Sequence, residues 1–274
     1  MRVTLLGTGS PIPDAHRAGP ATLVQAGGLN LLFDCGRGVL MRLSGAGIPT
    51  PVFLHHVFLT HLHSDHITDL NDVITMRWAM PPAPTPLSLT GPPGSAALVD
   101  RTIEMLGDDI GYRLAHHDDL HDPPKCETTE LLDGVAFEHG DVRVIAGPTD
   151  HRPVTPTVGF RIEHGGRSVV IAGDTVPCDG LDRLCAGADA YVQTVIRPDL
   201  VRQIPALRLQ DTIDYHSSVA DAGRTAARAG VKTLVLTHMV PTPAPGSDAE
   251  WIAQAAEEFS GEIVLGDDLM TIDV

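Results

Sequence analysis

The chain has 274 residues, 43% of them hydrophobic, enough for a core in one large domain or two small ones. Its 19 basic residues stand against 35 acidic ones, a formal charge of −16. Proteins that grip nucleic acid by its phosphates usually show a basic face, so long RNA or DNA is disfavoured as a partner.

No run of eighteen apolar residues occurs, and the opening Met1-Arg2-Val3-Thr4-Leu5-Leu6-Gly7 is too short and strand-like for a signal peptide. No membrane span is expected, and a cytoplasmic location is. Residues 2 to 7 read as a strand running into Gly7-Thr8-Gly9-Ser10-Pro11-Ile12-Pro13, a turn-rich loop without the P-loop pattern. Residues 22 to 26 and 29 to 33 read as a hairpin turned at Gly27-Gly28 and ending at Asp34-Cys35-Gly36. Arg37 to Ala46 reads as a helix stopped by Gly47 and Pro49.

Val57 to Thr60 reads as a buried strand, and residues 67 to 74 carry apolar residues at helical spacing. Between them lies His61-Leu62-His63-Ser64-Asp65-His66, with four metal-ligand side chains in six residues. On a tight strand-to-helix loop, His61 and His63 can point one way while Asp65 and His66 turn toward a second point. One metal could not easily take all four, and two side by side could. Imidazole and carboxylate suit zinc, manganese or iron, and no cysteine lies close enough for a thiolate site.

Pro81 to Pro86 is a stiff connector, Leu87 to Thr90 a short strand, and Ser95 to Leu106 a helix capped by Ser95. From Gly107 to Gly134 the pattern is poor and polar. The His116-His117-Asp118-Asp119-Leu120-His121-Asp122 run inside it reads as a solvated loop. Strands are expected at 135–138 and 142–146, followed by Thr149-Asp150-His151, whose histidine is a candidate ligand. A hairpin at 157–162 and 167–172 ends at Gly173-Asp174-Thr175, placing a carboxylate at a strand end, where it can bridge two metals. A short helix (179–186) and a strand (189–196) precede a segment holding Arg197, Arg202 and Arg208 among apolar residues. Tyr215-His216-Ser217-Ser218 opens a helix from Val219 to Ala229, and the strand 233–237 delivers His238. A helix at 247–259 and strands at 263–265 and 269–272 close the chain. The four cysteines form no C-x-x-C pair and are expected to be reduced and packed.

The array Thr60-His61-Leu62-His63-Ser64-Asp65-His66 resembles the signature of the metallo-β-lactamase superfamily. Thr149-Asp150-His151, Ala172-Gly173-Asp174-Thr175 and Leu236-Thr237-His238-Met239-Val240-Pro241 extend the likeness over nearly the whole chain. The opening Leu6 to Pro11 and the tract Tyr215 to Gly223 are similar to the ribonuclease Z-like and arylsulfatase-like members. The resemblance implies an αβ/βα four-layer sandwich, two mixed β-sheets flanked by helices, in one domain spanning 1–274. Its similar halves would be roughly 1–147 and 148–274. It also implies a ligand set: His61, His63 and His151 on one metal, Asp65, His66 and His238 on the other, Asp174 bridging. Asp34 would buttress the histidine loop, and His216 would reach the substrate's charged group.

The expected activity is dinuclear hydrolysis, with a metal-bridging hydroxide attacking a small ester, foremost a phosphodiester. Asp65 orients the attacking group, His216 serves the leaving oxygen, and the three arginines are candidate substrate contacts. The metals are expected to be two divalent ions, Zn2+ before Mn2+ or Fe2+. A sulfate ester, tRNA 3′-end cleavage, and a thioester or lactone follow as alternatives, and a metal-free pseudoenzyme comes last. Cleavage of tRNA is marked down because tRNA enzymes of this type carry a long arm between the third histidine motif and the bridging aspartate. Only 22 residues separate His151 from Asp174 here. Nothing in the sequence fixes the oligomer, and a homodimer is compatible with this reading.

Overall fold

The computed structural model describes the whole chain, Met1 to Val274. The first part runs β1 (Arg2–Gly7), β2 (Ala21–Ala26), β3 (Leu29–Phe33), α1 (Val39–Gly45), β4 (His56–Phe58), α2 (Ser64–Ile67), α3 (Leu70–Ala79), β5 (Leu87–Gly91), α4 (Ser95–Met105), α5 (Gly107–His116) and β6 (Cys126–Glu130). The second runs β7 (Gly134–His139), β8 (Val142–Pro148), β9 (Val158–His164), β10 (Arg167–Ile171), α6 (Asp179–Cys185), β11 (Ala190–Ile196), α7 (Pro198–Val201), α8 (Leu207–Gln210), α9 (Val219–Ala229), β12 (Thr233–Val240), α10 (Asp248–Ala256), β13 (Glu262–Leu265) and β14 (Thr271–Asp273).

Two seven-stranded sheets result, ordered β14-β1-β2-β3-β4-β5-β6 and β13-β12-β11-β10-β9-β8-β7. Each is antiparallel through its first four strands in space, counting from β14 or β7, and parallel through the rest. This is the expected four-layer sandwich. The chain changes sheet between β6 and β7, ahead of residue 147, and β14 returns to the first sheet beside β1. The halves of the sequence and the two sheets therefore do not coincide.

Three apolar layers hold the sandwich. Alternate residues of both sheets, among them Leu5, Phe33, Phe58, Val144, Phe160 and Val192, fill the space between them. Phe58 stacks on Phe33 at 4.7 Å between centroids and meets Phe160 at 5.2 Å. Burying each such ring contributes about 1.5–3 kcal/mol. The inner parallel strands β4, β11 and β12 bury both faces and so read as largely apolar runs. Their outer faces are covered by α1, α3 and α4 on one side and by α6, α9 and α10 on the other. No helix is long and apolar enough to cross a membrane.

Three local readings need correction. The segment 107–134 holds a helix and a strand. Gly107, Gly111 and two aspartates in the first turn weaken the pattern of α5, of which only Ile110 is buried. β6 is an edge strand with mixed exposure. The helix expected over 67–74 is two helices broken at Thr68-Asp69, and the first of them carries Asp65 and His66. Ser95 does not cap α4: its hydroxyl donates to the Pro92 carbonyl, and Glu130 of β6 accepts from the Gly94 and Ala96 amides instead. The 116–122 histidine run is largely exposed and gathers no ligand cluster.

Candidate metal centre and cleft

The chemistry-bearing residues sit at the carboxyl ends of strands, where open sheets expose their loops to ligands. Asp34 follows β3, His61 to His66 follow β4, His151 follows β8, Asp174 follows β10 and His238 lies near the carboxyl end of β12. Asp34 has φ 61°, a left-handed conformation that Asp tolerates better than most residues. It is 4% exposed, and its carboxylate accepts from the Thr60 amide (2.8 Å), the Thr60 hydroxyl (2.8 Å) and His66 Nδ1 (2.7 Å). These three contacts tie Asp34 to both ends of the ligand loop. Gly173 packs so closely on Thr60 that a Cβ would fall 2.7 Å from the threonine Cβ, and its φ is 67°.

The loops are laced to one another. The Val176 amide donates to the Asp150 carbonyl, and the Ser217 amide and hydroxyl both donate to the Thr175 carbonyl. The loops of His151, Asp174 and His216 therefore form one unit.

Two groups of donor atoms converge, His61, His63, His151 and Asp174 in one, Asp65, His66 and His238 in the other, each within 4.8 Å. Asp174 Oδ2 lies between them, 3.8 Å from His61 Nε2, 3.8 Å from His151 Nε2, 3.5 Å from His66 Nε2 and 3.6 Å from His238 Nε2. His216 Nε2 is 3.2 Å from the same oxygen. It belongs to neither donor group, and its Nδ1 donates to the Thr212 carbonyl.

The donor chemistry fits divalent ions. His61 Nδ1 faces the Thr60 hydroxyl, which already donates to Asp34, so the ring is the donor there. His151 Nδ1 donates to the Tyr215 carbonyl and His66 Nδ1 to Asp34. In these three rings Nδ1 is thus the protonated nitrogen of the neutral form, whose Nε2 lone pair then faces inward, the arrangement that metal-binding histidines use. His61 Nε2 and His151 Nε2 both point at His63 Nδ1, at 3.1 and 3.2 Å, although one N–H there could serve only one of them well. His66 Nε2 and Asp174 Oδ1 are buried without any hydrogen-bond partner. Unpaired buried polar atoms are rare, and a cation at the centre satisfies them.

Electrostatics agree. Burial would raise the Asp174 carboxyl, but His238, His66 and His216 hold it well below the ordinary carboxylate range. Asp65 is likewise held low against burial by its hydrogen bond from His238 and by His66. Burial pushes His61 far down and His151 to about 4, keeping both rings neutral. Burial also opposes charge on His66, yet Asp174 and Asp34 raise it well above normal, so an ion binding there displaces a proton.

The cluster opens into a cavity of about 540 Å³. His63, Asp65, Asp174, His216 and His238 line it together with the apolar residues Pro11, Ile12, Ala206, Leu209 and Val240. Ser10, Arg208 and Tyr215 also line it. Of the three arginines expected near substrate, only Arg208 does so. Arg197 is turned away: Asp199 takes its Nε (2.8 Å) and Nη2, and the guanidinium lies over the Trp251 ring. Arg202 is exposed on the same segment but does not line the cavity. Sequence reasoning missed Ser10 and Asp268. Asp268 accepts from the Thr8 amide and hydroxyl, the Ala18 amide and Arg42, and so fastens the loop carrying Ser10. Its one signal was a paired aspartate just before the last strand.

A family model described as a β-lactamase superfamily domain matches residues 29–239. Proteins named ribonuclease Z from Mycolicibacterium gilvum (strain PYR-GCK) and Mycobacterium bovis (strain BCG / Pasteur 1173P2) are each 56% identical over 276 residues. The alignments cover 100% of this chain and 96% and 98% of theirs. The chain belongs to the ribonuclease Z family of the metallo-β-lactamase superfamily. It is a metal-dependent hydrolase. Its fold is shared with the metallo-β-lactamase fold protein YhfI from Bacillus subtilis (TM-score 0.75, 23% identity, 99% of each chain). It is also shared with human tRNase Z, short form (TM-score 0.72, 24% identity, 100% and 99%).

These relatives overturn the expectation that long nucleic acid is disfavoured. Both arguments behind it fail for physical reasons. The interval from His151 to Asp174 is indeed filled by little more than the β9–β10 hairpin. Yet the ribonuclease Z relatives align over 96–98% of their own length, so they too lack a long insertion, and its absence separates nothing. Net charge, for its part, sums the whole surface, whereas a substrate meets one local field. Arg37, Arg202 and Arg208 take part in no ion pair, unlike Arg17, Arg42 and Arg197. Arg208 lines the cavity, and Arg37 Nη2 reaches the Pro11 carbonyl at its edge.

Proposed function

We propose that the chain cuts a phosphodiester bond of RNA in the manner its relatives' name describes, with precursor tRNA as the substrate to test first. The observation that carries this is end-to-end identity of 56% to proteins named ribonuclease Z. The earlier preference for a small ester gives way to it.

In this reading His61, His63 and His151 would hold one divalent ion and Asp65, His66 and His238 a second, with Asp174, which faces both groups, shared between them. The all-imidazole and carboxylate donor set suits Zn2+ first, then Mn2+ or Fe2+. When bound, the ions supply Lewis acidity and a nucleophile at neutral pH. Asp34 fixes the His66 tautomer and the start of the ligand loop. Asp65, ionised and lining the cavity, orients the attacking water and receives its proton. His216, anchored through Nδ1, presents Nε2 to the cavity and gives a proton to the leaving oxygen. Arg208, with Arg37 and Arg202 further out, meets the phosphates on either side of the cut. Four free thiols accord with a reducing, cytoplasmic setting.

The test is cleavage of a precursor tRNA by the metal-loaded protein, beside an aryl sulfate, a thioester and a lactone. Cleavage of the RNA next to the acceptor stem, weakening steeply with salt as phosphate contacts require, is expected. Turnover of one of the other esters with inert RNA would overturn the reading.

A further inference from the structure

The mechanism leaves one polar group of the cleft unused. Ser10 is 2% exposed, lines the cavity, and its hydroxyl has no hydrogen-bond partner in the protein. Burying a hydroxyl without a partner is unfavourable, so its persistence asks for a ligand. The loop that carries it is not loose. Asp268 grips both its ends, through the Thr8 amide (2.9 Å) and the Ala18 amide (2.7 Å), and the Gly9 amide donates to the Ala18 carbonyl (2.9 Å). Gly7, just before, sits so close to Gly19 that no Cβ fits between them. A hydroxyl on such a support is held in place before anything binds.

Its surroundings say which part of a substrate it meets. His63, Asp65, Asp174, His216 and His238 bring the converging donor cluster to the cavity, and the phosphate goes there. Ile12 and Leu209 offer apolar surface elsewhere in it, and about 540 Å³ has room for a nucleoside as well as a phosphate. Ser10 borders the cavity on the same loop as Pro11 and Ile12, and a neutral hydroxyl there suits the polar edge of an uncharged, flat group. We propose that Ser10 is a specificity-determining residue: its hydroxyl hydrogen-bonds the nucleoside flanking the scissile phosphate, which packs against Ile12 and Leu209. This rests on the phosphodiesterase reading of the site, and it goes beyond it by naming the residue that tells a nucleotide from a bare diester.

The experiment compares two diesters that release the same p-nitrophenolate, thymidine 5′-(p-nitrophenyl phosphate) and bis(p-nitrophenyl) phosphate. In Ser10→Ala, kcat/KM for the nucleoside diester should fall by about tenfold, the usual loss for one hydrogen bond to substrate, and that for the nucleoside-free diester should stay within about twofold. Ser10→Thr, which keeps the hydroxyl, should restore most of the difference. Ile12→Ala, at an exposed position where folding is safe, should show the same selective loss. Metal content and Tm should match the parent in all three. Equal losses on both diesters would make Ser10 a support of the site and overturn the proposal, as would no loss on either. The outcome is separable from the RNA reading. A parent that leaves precursor tRNA intact, with a selective Ser10→Ala loss, refutes the RNA substrate and keeps Ser10. A parent that cuts the RNA with Ser10→Ala indifferent does the reverse.

Discussion

Residues 56–66 and residues 197–215 line one cleft and are built by opposite rules. The first stretch leaves a central strand, and Leu59, Thr60, His61, Asp65 and His66 are all buried. Its backbone is tied across both sheets: Thr60 binds Asp34 on one side, and its carbonyl accepts from the Val158 amide on the other. The second stretch is two helices of four residues each and a 3-10 turn, Asp211–Tyr215, with Leu207 79% exposed. The first region can hold atoms to within tenths of an ångström, as metal ligation demands. The second has little buried surface to hold it and can adapt to what it binds. Substitutions in the first should therefore remove chemistry irrespective of substrate, and substitutions in the second should alter affinity and leave the ions in place.

The largest effect is expected at the centre that the first region serves. Asp174→Ala removes the carboxylate that faces both donor groups. Activity should drop by more than about a hundredfold, since even outer partners of metal ligands cost 10–100-fold. Bound metal, measured on the purified protein, should fall with it. Retention of two ions per chain with full turnover would sink the bridging role.

His216 stands where the two regions meet. It directly follows the irregular stretch, yet its ring is buried and fixed to Thr212. His216→Ala should lower turnover on the order of a hundredfold to ten-thousandfold, the range for losing a positioned proton donor, with metal content unchanged. The loss should shrink for activated nitrophenyl esters, whose leaving group needs no proton. A parallel loss of metal would move His216 into the first class.

Asp34→Asn probes the rigidity of the first region more gently. Asn tolerates the positive φ of this position, so the backbone survives. The amide oxygen can still accept from Thr60, but an NH2 now faces His66 Nδ1. The imidazole must then carry its proton on Nε2, the atom that points at the metals. Metal affinity should weaken by about 10–100-fold, measured by competition with a chelator, and Tm should change little by comparison.

How much of this was legible beforehand follows the same division. Strands with apolar runs, and ligands at their ends, announce themselves because burial and metal chemistry leave few residue types to choose from. Asp34, His61, His63, Asp65, His66, His151, Asp174, His216 and His238 were all named from motifs, and the structure brings them to one place. The helix from Val219 to Ala229 was readable to the residue because Ser218 and Asp221 form a reciprocal cap and Gly230 ends it. The substrate side was opaque. Short helices without a buried face carry no periodicity, and Arg197 looked as promising as Arg208 because its pairing with Asp199 depends on a local turn. Ser10 and Asp268 were hidden for a different reason: 258 positions apart, they are connected only once β14 returns to pair with β1. The change of sheet before residue 147 was equally invisible, since β7 and β8 read as ordinary strands in either half.

The smallest effect tests the second region alone. Arg208 lines the cavity, is exposed and has no carboxylate partner, so its charge is free for a substrate phosphate. One such contact displaces about one counterion from RNA, so Arg208→Ala should reduce the slope of log affinity against log salt by about 1. At moderate salt the RNA should bind only severalfold more weakly. Metal content and the rate on a nucleoside-free diester, which offers no second phosphate, should stay at the parent values. Arg197→Ala is the control. Its guanidinium is engaged by Asp199 and Trp251 rather than by the cleft, so it should leave the salt slope unchanged and lower Tm instead. If Arg197→Ala changed the slope and Arg208→Ala did not, the substrate would run along a different face of the 197–215 segment, and the division between a rigid catalytic side and an adaptable binding side would have to be redrawn.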